Sequence, residues 1–253
     1  MHLETILTPA ELPALAHREG RGTACVVFDI LRATSTFITA LHQGAKEIIP
    51  VSEIAEAVAR RKNDANILLA GERDGRRIRA AQSGGTDFNF GNSPREFTPE
   101  CVREKTIVST TTNGTRALRA GANAECVLAA AFLNLAATAN FLRAKNFSTV
   151  RLVCAGTGEG VALEDVLAAG ALVELLVGMS FAHRPTELSD SSLVALKTFT
   201  EMKADLAAAI GSSQNGRRLL AIPELRDDVT FCAQRDVFDL VAVMDEHGAL
   251  RSV

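Results

Sequence analysis

The chain has 253 residues, 47% hydrophobic and 23% charged, enough apolar material for one large α/β domain or for two lobes sharing an interface. Lys and Arg number 27 against 30 Asp and Glu, a formal charge of −3, which excludes a general nucleic-acid binder with its basic stripe but not a local cluster of arginines. Trp and Tyr are absent, so ligand stacking on those rings is excluded as well.

No apolar leader opens the chain, and no run reaches the roughly 18 apolar residues of a membrane span. Five widely spaced cysteines (Cys25, Cys101, Cys126, Cys154, Cys232) form no CxxC, so a cytoplasmic protein with buried thiols is expected.

In chain order, Thr8-Pro9-Ala10-Glu11 predicts a capped helix ending near Gly20. "ACVVFDI" predicts a buried strand, and "LRATSTFITALHQG" a turn and a helix that stops near Gly44. "EIIPV", "SEIAEAVARRKN" and "NILLAGE" predict strand, helix, strand. From Gly71 to Pro99 periodicity disappears, and Phe88, Phe90 and Phe97 point to an ordered loop that packs down. "KTIVSTTTNGTRALRAG", "AECVLAAAFLNLAATANFLRAK" and "STVRLVCAGTGEGVALEDVLAAGALVELLVG" each give strand then helix. Arg184 to Gly216 is expected to be helical and peripheral, with late strands in "DVTFCAQ" and "LVAVMDEHGAL" and a turn at His247-Gly248. The whole reads as a layered α/β/α fold with a mainly parallel sheet. It is either one domain over residues 1–253 or two lobes, with a boundary near 125–150 and the site between them.

Three strand-to-helix turns carry the chemistry: "DILRATST" (Asp29 to Thr36), "STTTNGTR" (Ser109 to Arg116) and "AGTGEGVALED" (Ala155 to Asp165). In a parallel sheet all three open on one edge, where ligands bind. Gly114, Gly156, Gly158 and Gly160 admit close backbone approach. Thr34, Ser35, Thr36, Thr111, Thr112 and Thr115 add short donors, and Arg32 and Arg116 add bidentate charge. "GTGEG" lacks the GxGxxG spacing, and neither GxxxxGK[ST] nor GxSxG occurs, so a dinucleotide enzyme, a P-loop NTPase and an elbow-type serine hydrolase are disfavoured. Asp29, Glu72, Asp87, Glu164 and Asp165 stand beside these turns. Carboxylates next to phosphate donors are the ordinary way to hold Mg²⁺, although Glu164 and Asp165, in a first helical turn, also serve the helix dipole with no metal. His2, His17, His42, His183 and His247 have no metal-ligand spacing.

"FDILRATST", "AGERDG", "DFNFGNSP", "TTTNGTRAL", "CAGTGEGVALEDVLAAG" and "FCAQRDVFDLV", long and in order from about Val26 to Val243, resemble the 2-phosphosulfolactate phosphatase family. The resemblance implies a cytoplasmic, Mg²⁺-dependent hydrolase. Its reaction would turn (2R)-2-phospho-3-sulfolactate into 3-sulfolactate and phosphate, a step of coenzyme M biosynthesis. With an apolar Ala/Leu-rich helix surface, it also makes a homodimer plausible.

Such a substrate assigns Arg32 and Arg116, with Thr34, Ser35, Thr111, Thr112, Asn113, Gly114 and Gly156, to the phosphoryl group. Arg73 and Arg79 fall to the carboxylate or sulfonate. Asp29, Glu72 and Asp165 are the first choices for Mg²⁺, and Glu164 or Asp87 for the attacking water. Direct water attack and an aspartyl-phosphate on Asp29 both stay open, and a cysteinyl-phosphate on Cys154 is disfavoured because no CX₅R loop follows it. Two rival readings are a phosphatase of another small 2-phospho acid and a non-enzymatic anion-binding module.

Overall fold

The computed structural model describes residues 1–178 and 186–253; His183 and the start of the region from Arg184 lie outside them. Eleven strands form one sheet in the order β5-β4-β6-β3-β11-β10-β7-β2-β8-β1-β9. They are β1 (His2–Ile6), β2 (Thr23–Phe28), β3 (Glu47–Pro50), β4 (Leu68–Arg73), β5 (Arg76–Arg77), β6 (Thr106–Thr110), β7 (Cys126–Ala130), β8 (Thr149–Cys154), β9 (Glu187–Leu188), β10 (Ala242–Met244) and β11 (Leu250–Ser252). Strands β7, β2, β8, β1 and β9 are mutually parallel, as are β3, β6 and β4. The two parallel blocks run in opposite senses, because the antiparallel hairpin β10–β11 lies between them. β2 and β8, with every residue of β2 buried, sit at the centre of the larger block and follow the continuous apolar runs expected of a sheet covered on both faces.

The helices are α1 (Leu12–Leu15), α2 (Ala33–His42), α3 (Ile54–Asn63), α4 (Ala80–Ser83), α5 (Pro99–Val102), α6 (Gly114–Ala120), α7 (Leu135–Lys145), α8 (Leu163–Gly178), α9 (Asp190–Met202), α10 (Leu206–Gly211), α11 (Gln214–Leu220) and α12 (Arg226–Cys232). α8 is buried on nearly all sides, so after Glu164 and Asp165 in its first turn its sequence is apolar save for Glu174 rather than amphipathic. The main core packs these helices on the sheet, and a second apolar cluster built on Leu69, Ile78, Phe88 and Val108 fixes the long loop after β4. The Phe90 and Phe97 rings pack at a tilt with their centroids 4.7 Å apart, so this loop is ordered as expected.

Four expectations change. The first helix stops at Leu15, because only Leu12 and Leu15 supply a buried face after the Thr8–Glu11 capping box. β1 precedes it. "DVTFCAQ" is helical, not a strand: Asp228, Val229 and Cys232 are buried at helical spacing, and packing overrides the β-branched composition. The helices of the 190–216 region are present, but that region is not wholly peripheral, as Asn215 shows below. Cys101 is exposed, and no disulfide occurs. No helix among the described residues is long and apolar enough to cross a membrane.

Candidate active site

The three turns converge, although β6 belongs to one parallel block and β2 and β8 to the other. The Asn113 side-chain amide donates to the Gly156 carbonyl at 3.0 Å, joining the β6 and β8 turns. Gly114 sits against the β2 turn so closely that a Cβ there would stand 2.7 Å from Ala33 Cβ and 2.9 Å from Asp29 Oδ2. Only glycine lets those two chain segments meet. Between them lies a cavity of about 150 Å³, whose walls include Asp29, Arg32, Glu72, Thr111, Thr112 and Asn113.

Asp29 directly follows β2, with its carboxylate over the start of α2, where Ala33 N–H donates to it at 3.1 Å. Burial pushes Asp29 up to about 7; the charges of Glu72 and Glu164 add to the rise, against the N–H groups of Ala33 and Gly114. Glu72 ends the apolar part of β4. One of its oxygens accepts from the Thr112 hydroxyl at 2.9 Å and the Thr112 N–H at 3.2 Å, and the other accepts from Gly75 N–H at 2.8 Å. Glu72 therefore sets the shape of the threonine turn while facing the cavity.

Arg32 is buried. It donates to Asp228 at 2.7 Å and to the Gly75 carbonyl at 2.8 Å. Asp228, fully buried on α12, also accepts from Ser93 at 2.7 Å and Arg95 at 2.8 Å. Arg32 is thus a fixed and largely neutralised cation. Asn215, near the start of α11, donates to Thr157 at 2.6 Å and to one Glu164 oxygen at 2.7 Å. The other Glu164 oxygen is buried and has no hydrogen-bond partner among the described residues. Asn92, Gly158, Arg218 and Leu219 also line the cavity, and Arg218 pairs with Asp74 at 3.7 Å.

Other predicted site residues lie elsewhere. Arg116 is not in the cavity wall; it is exposed and pairs with Glu159 at 2.7 Å. Thr34 and Ser35 are buried in α2, with their hydroxyls donating to the Asp29 and Ile30 carbonyls. Asp165 spends both oxygens on Ile30 N–H (2.8 Å) and Gly156 N–H (3.0 Å), locking the β2 and β8 turns together. Burial raises it well above the ordinary carboxylate range, and Glu164 and Asp29 add to this. Gly156 (φ +70) lets the chain pass Pro9 and Gly160, where a side chain does not fit. Asp87 caps α4 by accepting from Ala80 N–H, away from the cavity. Arg73 and Arg79 line a second, adjoining groove. Cys154 is fully buried, and burial raises its thiol well above its usual value, the opposite of an activated nucleophile.

Asn92, Asn215, Arg218 and Asp228 escaped the sequence reading. A lone Asn or Asp on a helix carries no motif, and only the fold shows that α11 and α12 close over the β2 turn.

Three carboxylates (Asp29, Glu72, Asp74) and two arginines line the cavity, Arg32 paired with the buried Asp228 and Arg218 with Asp74. An all-oxygen donor set with surplus negative charge fits a hard divalent cation such as Mg²⁺, whereas Glu164 is not among the wall residues. Among the described residues no three of His, Cys, Asp and Glu gather into a ligand cage. The fit is therefore of the kind in which one or two carboxylates act with water and a substrate phosphate.

The family model for 2-phosphosulpholactate phosphatase matches residues 7–247. A probable 2-phosphosulfolactate phosphatase of Caldanaerobacter subterraneus subsp. tengcongensis is 40% identical over 90% of this chain and 89% of its own. A protein of Thermotoga maritima with the same description is 37% identical over 87% and 88%. One from a Synechococcus species is 36% identical over 98% and 96%. Extending over nearly the whole chain and across all three turns, these matches place it in the 2-phosphosulfolactate phosphatase family.

Proposed function

We propose that the chain is a Mg²⁺-dependent phosphatase that hydrolyses (2R)-2-phospho-3-sulfolactate to 3-sulfolactate and phosphate, the coenzyme M biosynthesis type of reaction. The observation that carries this reading is the cavity in which Asp29 and Glu72 face the Thr111–Asn113 turn beside a fixed Arg32. Family membership supports hydrolysis of a phosphoric monoester, and the surplus of carboxylates supports a cation requirement. A substrate with phosphate, carboxylate and sulfonate groups is repelled by these walls unless a cation neutralises them.

Asp29 and Glu72 would hold Mg²⁺, with Glu164 reached through water. The ion would supply charge neutralisation at the phosphoryl oxygens as the ester bond breaks. Thr111, Thr112 and Asn113 orient the phosphoryl group, and Glu72 holds Thr112 in place. Arg32 presents its N–H groups from a position that Asp228 fixes. In the step, the water oxygen forms a new bond to phosphorus, the bond from phosphorus to the ester oxygen breaks, and one water proton ends on the leaving alkoxide. Glu164, steadied by Asn215 through one oxygen, has the other free to accept the water proton on its way. Asp165 acts by positioning the β2 and β8 turns.

The test is phosphate release from a set of small phospho acids with and without Mg²⁺. Release from 2-phospho-3-sulfolactate that EDTA abolishes and Mg²⁺ restores is expected. Preference for another phospho acid rejects the substrate. Release from none, with phosphate stabilising the protein regardless of Mg²⁺, turns the reading to an anion-binding module.

A further inference from the structure

Asp228 is a buried carboxylate that serves two guanidinium groups, and those two differ in where they lie. One Asp228 oxygen accepts from Arg32 at 2.7 Å. The other accepts from Ser93 at 2.7 Å and from Arg95 Nε at 2.8 Å. Arg32 lines the cavity, whereas Arg95 lines neither the cavity nor the adjoining groove. Arg95 therefore acts on a ligand in the cavity through Asp228 and Arg32, not by contact.

Arg95 is nonetheless held in place. Its Nη2 donates to the Glu224 carbonyl at 2.7 Å, and its Nη1 stands 3.5 Å from Asp227. The backbone before it is fixed as well: Pro94 is buried, and the Asn92 carbonyl accepts from the buried Thr36 hydroxyl of α2 at 2.8 Å. The segment is thus clamped between α2 and α12. The Arg95 side chain is 36% exposed, against 3% for Arg32 and 0% for Asp228, so the charge of this buried pair is adjusted from the protein surface.

One carboxylate between two guanidinium groups leaves the trio net positive, and Asp227, 70% exposed, is screened by solvent and offsets little of it. Without the Arg95 charge, Asp228 pairs with Arg32 alone, and Arg32 attracts an anion in the cavity less. Without the Asp228 charge, Arg32 is uncompensated and attracts that anion more. A merely mechanical role for the same bonds predicts otherwise, since loosening Arg32 weakens anion binding in both cases.

We propose that Arg95 is a positioning residue of the site: by sharing the Asp228 carboxylate, it sets how much of the Arg32 charge reaches a phosphoryl group in the cavity. The proposal rests on the phosphatase reading of that cavity and deepens it, because the affinity for phosphate is then set by a residue outside the wall.

Its test combines the calorimetric Kd of inorganic phosphate at fixed free Mg²⁺ with kcat and KM for a phospho acid that the native protein hydrolyses. Arg95→Gln is expected to weaken phosphate binding and raise KM by about three- to tenfold, with kcat within about twofold of native. Arg95→Lys, which keeps the charge and loses the planar fork, should restore most of the affinity. Asp228→Asn should tighten phosphate binding by about threefold or more. Native affinity in R95Q, R95K no better than R95Q, or weaker phosphate binding in D228N overturns the proposal. If D228N does not fold, the comparison of R95Q with R95K decides. Hydrolysis by the native protein with R95Q unchanged rejects this proposal alone. A native protein that neither binds phosphate nor hydrolyses any phospho acid rejects the phosphatase reading, and this proposal with it.

Discussion

Asp29 is stabilised least where the chemistry needs it most. Its carboxyl rises from 3.8 to about 7 on folding. The native state therefore binds that proton more tightly than the unfolded chain does. Stability from this group is full below about pH 4, falls as pH rises toward 7, and is lost above it. Asp165 shifts in the same direction. Asp29→Asn is expected to raise the Tm of the metal-free protein at pH 7.5 by several degrees and to flatten its pH dependence, at about 2–4 °C per kcal/mol for a chain of this size. If Asp29 holds the cation as proposed, the same variant should lose at least about a hundredfold in kcat/KM. Calorimetry and phosphate release check the two halves separately. Arg116→Ala is expected to change kcat/KM by less than about threefold, since an exposed ion pair contributes little; a tenfold loss in the same assay would return Arg116 to the substrate. Asp29, Glu72 and Thr111–Asn113 were legible in the sequence because each closes an apolar strand with a residue no core wants. Arg116, Thr34 and Ser35 carry the same residue types in the same turns, and only packing separates them from the cavity.

Elements decide whether those side chains meet. α11 brings Asn215 to Glu164 and Thr157. Asn215→Ala leaves both Glu164 oxygens unpartnered and should cost about tenfold in kcat, measured as initial rate at saturating substrate. Gly114→Ala at the start of α6 forces a methyl group against Ala33 and Asp29, so about 1–3 kcal/mol of stability should be lost together with activity, as denaturant unfolding will read. The strand–turn–helix units at β2, β6 and β8 and the long helix α8 followed from periodicity, whereas β1, β5 and β9 did not. Nor did α12: a seven-residue segment in which Val229, Thr230 and Phe231 stand together has no local preference strong enough to announce a helix, and its burial against the β2 turn decides the matter.

At the scale of the molecule, a cation that binds only the native state stabilises it by mass action, about 2.7 kcal/mol at a hundred times its Kd. Mg²⁺ is expected to raise Tm more at pH 8 than at pH 5, because below about 7 a proton occupies Asp29; a pH-independent Mg²⁺ shift in a thermal-melt series would contradict that. An α/β fold was evident from the alternation of elements. The reversal between the two parallel blocks was not, since it depends on the short β10–β11 hairpin, whose pairing partners lie some 110 to 200 residues back along the chain. That hairpin joins the middle of the sheet and comes last in strand order. During synthesis both blocks can form before the residues that unite them emerge, leaving β7 and β3 as open edges able to capture strands of other chains. Assembly of this sheet finishes at its centre, and the yield of active protein depends on how quickly the β10–β11 hairpin arrives there.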